Sequence, residues 1–97
     1  MQNSNWEIEA YPLSDFKNEF NSLSLPAQNE IEQLLRELVV LSDPEDNDCA
    51  VDCPKLPGFN NAVKYITQNG AILIVALERI ELDTLNTYTI VLFSCSE

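Results

Sequence analysis

The chain has no histidine, and only Lys17, Arg36, Lys55, Lys64 and Arg79 carry positive charge, against sixteen aspartates and glutamates. Without histidine, the side chain that most often exchanges protons near neutrality is missing. Shortage of cations disfavours direct binding of DNA or RNA, because affinity for a phosphate backbone comes from neutralising it with lysine and arginine. Met1–Asn5 has neither the basic start nor the apolar stretch of a secretory signal. The longest apolar run, Ala71–Leu77, is far too short to cross a membrane as a helix. Three cysteines, Cys49, Cys53 and Cys95, are an odd number. With no secretion signal, reduced thiols in a cytoplasmic protein are expected. A structural zinc needs four good ligands, and no histidine or fourth cysteine completes such a set, so no metal or other cofactor is predicted.

What is present describes a folded domain. Ninety-seven residues suit a single domain spanning 1–97, and a hydrophobic content of 45% argues against a disordered chain. The formal charge of −11 favours a basic protein partner, or occupancy of a site that otherwise holds nucleic acid.

Trp6–Tyr11 alternates, placing Trp6, Ile8 and Ala10 on one face of a strand and the acids on the other. Pro12 ends it. Ser14 and Asp15 then suit the start of a short helix carrying Phe16, Phe20 and Leu23 at helical spacing. Ser24 and Pro26 open a second helix with Ile31, Leu34, Leu35, Leu38 and Leu41 as its buried stripe. The segment 42–54 holds Pro44, Pro54 and five acids and reads as a solvated acidic loop. Its carboxylates lack the turn glycine and terminal glutamate of a calcium loop, so a wet surface is the plainer reading. Three strands follow, about Ala62–Thr67, Ala71–Ile80 and Thr87–Ser94, the first pair joined by Asn69-Gly70 as a two-residue turn. Leu82–Asn86 makes a looser second turn. The predicted fold is α+β: an N-terminal strand and a two-helix hairpin packed on a four-stranded antiparallel sheet. Ala71–Leu77 is apolar in both registers and belongs at the sheet centre.

This order, with Lys55-Leu56-Pro57-Gly58 leading into the Asn69-Gly70 hairpin and the strands Ala71–Leu77 and Tyr88–Phe93, resembles the RelE/ParE toxin superfamily. The resemblance implies a small toxin-like module that a cognate antitoxin wraps; RelE-like members cut messenger RNA on the ribosome and ParE-like members act on DNA gyrase. The chain departs from the RNA-cleaving pattern. Gly70 is followed by Ala71, Ile72 and Leu73, where an aromatic residue and an arginine are common, and no arginine follows the last strand. A ribosome-dependent endonuclease would have to assemble base, acid and cationic stabilisation from Lys55, Lys64, Tyr65, Arg79 and Tyr88. Lys55 and Lys64 serve equally well as offsets to nearby carboxylates.

The leading expectation is therefore a non-catalytic protein-interaction domain with a toxin–antitoxin fold. Its partner would be an antitoxin-like peptide, a basic regulator or a second copy in a homodimer. Two helices cover one sheet face, and strands apolar in both registers must place something on the other. Tyr65, Leu73, Val75, Tyr88 and Ile90, or their alternating neighbours, are the expected interface. An active atypical messenger-RNA endonuclease and an acidic nucleic-acid mimic are the alternatives. Trp6, Phe16, Phe20, Phe59 and Phe93 read as core residues before they read as stacking platforms.

Overall fold

The computed structural model describes residues 6–52, 56 and 58–97. Strand β1 (Glu7–Ala10) leads into helices α1 (Phe16–Asn21) and α2 (Leu25–Leu38). After a 3₁₀ turn at Pro44–Asp46 come strands β2 (Ala50–Val51), β3 (Ala62–Ile66), β4 (Ile72–Glu81) and β5 (Asn86–Ser96). The architecture is α+β, with two helices on a five-stranded sheet ordered β1-β5-β4-β3-β2. β4 lies at the centre, as its apolar run requires. No helix among the described residues is long and apolar enough to cross a membrane.

Two features of the sheet differ from the sequence expectation. β1 does pair with an edge of the meander, but it runs parallel to β5, with Ile8 opposite Ile90 and Ala10 opposite Leu92, so the sheet is mixed. Alternation marks a strand without giving its direction; here the whole intervening chain supplies the connection that a parallel pair needs. The acidic segment also contributes a fifth strand: Ala50 and Val51 pair with Tyr65 and Lys64 at the β3 edge. Two paired residues flanked by acids and Pro44 are too short to register as a strand pattern.

Ser24 caps α2, its Oγ accepting from the Ala27 N–H at 3.3 Å, with Pro26 in the first turn. Ala27, Ile31, Leu34 and Leu38 then line one stripe of the helix. They close over Val63, Tyr65, Leu73, Val75, Leu77, Ile90 and Leu92, and Trp6 and Phe16 extend the same core. Two carboxylates tie helices to strands. Glu19 accepts the Cys95 N–H at 3.1 Å. Glu97 accepts the Ser24 N–H and hydroxyl at 2.7 and 2.8 Å, which lowers its acidity constant from the ordinary carboxylate value.

The β3–β4 turn also corrects the expectation of a two-residue mirror-image turn. Thr67 N–H donates to the Ala71 carbonyl at 2.8 Å, and Gly70 N–H to the Thr67 carbonyl at 3.0 Å. The loop is thus Gln68-Asn69-Gly70, and only Gly70 has positive φ, at 92°. This is a three-residue loop in which glycine takes the left-handed position after an ordinary turn. Asn69-Gly70 marked the right place but not the loop length.

Candidate functional site

The sheet register decides which side chains can meet a partner. Tyr65, Leu73, Val75 and Ile90 are fully buried under the helices, and Tyr88 is half-buried at the margin of that core. The interface expected at these five residues is corrected by one strand step: the alternating neighbours face outward. Both registers of β3 and β4 are apolar, so the sequence contains no signal for which one α2 covers.

The outer face is itself partly closed by the chain. A register shift at Ile74/Val75 leaves Phe93 without a partner across the β4–β5 ladder. A bulge of this kind re-aims a side chain, and Phe93 stacks on Tyr11 with ring centroids 4.6 Å apart. Phe59, from the segment before β3, meets both rings edge-on at 5.6 and 5.0 Å. Alongside this cluster Ala76, Thr89 and Val91 are buried although they point away from the helices. Phe59 and Phe93 are core residues, as expected, but of a second, smaller core on the opposite face from Trp6 and Phe16.

The five candidate nuclease residues do not converge on one open site. Lys55 lies outside the described residues. Lys64 faces outward on β3, opposite Ile74. Tyr65 is on the other face; its hydroxyl donates to the Pro44 carbonyl at 2.9 Å, and burial, then the Glu45 and Asp43 carboxylates, push its acidity constant far upward. Such a phenol stays protonated and is sealed from substrate. Arg79 and Tyr88 do sit opposite one another across the β4–β5 ladder. The Arg79 guanidinium reaches Asp43 at 3.1 Å and lies 5.0 Å above the Trp6 ring. Tyr88 packs 5.3 Å from Trp6 and donates its hydroxyl to Glu81 at 2.8 Å, a bond that raises its acidity constant. Arg79 and Tyr88 thus brace Trp6 at the edge of the core.

The acidic segment is ordered by its own side chains. Asp43 accepts the Glu45 N–H at 3.1 Å and Asn47 accepts the Cys49 N–H at 2.8 Å. No group of three or more metal-ligating side chains comes together among the described residues. Cys49 and Cys95 are free thiols, and burial leads the causes that push both acidity constants up, Cys95 to about 11. Cys53 lies outside the described residues.

Sequence reasoning missed one feature, an arm. β3 stops pairing with β4 at Ala62/Ala76 and β1 stops pairing with β5 at Glu7/Thr89, yet the β4–β5 ladder continues to Glu81/Asn86. The hairpin closes where Leu82 and Leu85 exchange N–H···O bonds of 2.8 and 3.4 Å. Its large aliphatic side chains are in solvent, with Ile80 50%, Leu82 60% and Leu85 58% exposed. Glu78, Glu81 and Asp83 punctuate them. At the arm's root, a cavity of about 230 Å³ lies between Phe59-Asn60-Asn61 and Glu78-Arg79-Ile80. A clue was available: Ile80, Leu82 and Leu85 follow the end of the central apolar run with no facing helix left to cover them.

Compared with protein-family models, curated proteins and solved structures, the chain matches none.

Proposed function

We propose that this domain is a non-catalytic protein-interaction module of RelE/ParE-like architecture, binding an antitoxin-like peptide or a basic regulatory protein. The observation that carries this reading is the arm, which holds three large aliphatic side chains in water among carboxylates. Exposed aliphatics grouped on a projecting element mark interaction surfaces more often than they serve folding. The candidate catalytic groups support the same reading. Tyr65 and Arg79 are committed to contacts that hold the 43–44 segment on the sheet, and Tyr88 braces Trp6.

The test is induced expression in a bacterial host, with growth and transcript integrity followed together. Growth should continue and transcripts should remain intact. Affinity capture from the native host should return one protein in stoichiometric amount. Growth arrest with codon-biased cleavage, abolished by Lys55→Ala or Lys64→Ala, would instead establish the endonuclease alternative and overturn the reading.

A further inference from the structure

The arm carries a feature more specific than exposed aliphatics: a backbone edge that the sheet leaves open. β3 ends its ladder with Ala62 opposite Ala76, and the Leu77 N–H is taken by the Asn61 carbonyl at 2.8 Å. From Glu78 onward, no described residue pairs with the outer edge of β4, although its inner edge is fully laddered to β5 as far as Glu81. An extended strand with one unpaired edge is a template for a further strand. The cavity between Asn60-Asn61 and Glu78-Ile80 lies beside this edge, where β3 would have continued.

The charges choose the occupant. Glu78 and Glu81 lie on the open strand and Asp83 at the tip, while the arm's one cation, Arg79, is turned to the helix side and paired with Asp43. A second copy pairing edge to edge would bring Glu78 and Glu81 against their own duplicates, and like charges across a ladder are destabilising. A strand bearing lysine or arginine at alternate positions meets these acids favourably. Aliphatic residues at its other positions would extend the surface formed by Ile80 and Leu82.

We propose that the open β4 edge at Glu78–Glu81 accepts an extended, basic segment of a partner protein as an added strand, continuing the sheet where β3 stops. This rests on the interaction-module reading above and gives that partner a chemistry and a binding mode. The backbone supplies affinity through new N–H···O bonds, and the carboxylates supply selection for cationic sequences.

The test uses the full chain and a peptide of alternating lysine and valine about ten residues long, the upper length of an ordinary strand. Amide chemical shifts and hydrogen exchange are followed by NMR. Binding should perturb Glu78–Glu81 and Asn60-Asn61, and should protect β4 edge amides more than those of Asn86–Tyr88 on the opposite edge. Glu78→Lys with Glu81→Lys should weaken binding at least about tenfold, the effect of roughly 1.4 kcal/mol. A peptide N-methylated at alternate backbone nitrogens, with its charge retained, should lose binding.

Four outcomes would overturn the proposal. These are equal binding of the N-methylated peptide, equal binding of an alternating glutamate-valine peptide, perturbation centred on α2, and self-association through the arm in place of peptide binding. Binding centred elsewhere removes the edge proposal but leaves the interaction module standing. Transcript cleavage on induction removes the module reading itself.

Discussion

At the scale of single residues, the buried polar contacts explain why chemically suggestive side chains are structural. Tyr65 is fully buried, and its one hydroxyl bond holds the Pro44 carbonyl. Tyr65→Phe removes the donor and should cost about 1–3 kcal/mol, the usual penalty for stranding a buried polar group. A denaturant titration at neutral pH measures this. The same side chain predicts the direction of alkaline sensitivity. The Tyr65 and Cys95 acidity constants are raised on folding, so the native state prefers their neutral forms. Their contribution is complete below the ordinary values of 10.0 and 9.0, and is lost as pH climbs through the folded values. Stability should therefore decline above pH of about 10, and Tyr65→Phe should decline less steeply over that range. Glu97 has the opposite sign. Its constant is lowered by the Ser24 bonds, so its contribution is present above the ordinary carboxylate value and fades as pH falls below it.

At the scale of elements, the β3–β4 hairpin is held by one helix side chain. Glu30 on α2 accepts the Thr67 hydroxyl at 2.5 Å through one oxygen and the Asn69 side-chain amide through the other. Thr67 Oγ1 in turn accepts the Ala71 N–H at 2.9 Å, so the helix, the turn and the start of β4 form one chain of hydrogen bonds. Glu30→Ala should cost roughly 1–2 kcal/mol, since charge-assisted bonds at a half-exposed site are only partly replaced by water. Amide exchange at Gly70 and Ala71 should accelerate before exchange in β5. Gly70→Ala addresses the same turn through the backbone. No heavy atom obstructs a Cβ there, but φ is +92°, so the cost is conformational strain of about 1 kcal/mol. A lowered melting temperature with unchanged core chemical shifts is the expected signature. The two substitutions separate a tether from a turn.

At the scale of the whole molecule, the division between the two sheet faces governs tolerance to substitution. Val75 is fully buried under the helices, whereas its neighbour Ile74 is half-buried on the outer face opposite Lys64. Val75→Asp places an unpaired carboxylate in the core and should abolish cooperative folding. Ile74→Asp stands across the ladder from a lysine and should leave a folded protein with a modestly lowered melting temperature. Circular dichroism melts of the two variants measure the difference. Comparable loss of folding in both would mean that the outer face is as closed as the inner one.

The sequence alone determined the order of strands and helices, the capped start of α2 at Ser24, the central place of β4 and the position of the Asn69-Gly70 turn. Each follows from a local pattern: a helical stripe, an alternation, a cap or a glycine-bearing turn. Tertiary structure decided the rest. It set the direction of β1, because alternation is the same read either way along a strand. It chose which register of the meander is inside, because residues such as Ile74 and Val75 are apolar alike. Phe93 turns outward through a bulge that depends on pairing with β4, and Phe59 closes on it from a segment with no periodic pattern. The arm and its open edge exist only because β3 and β1 end before β4 and β5 do, and a difference between strand lengths is not written in any one strand.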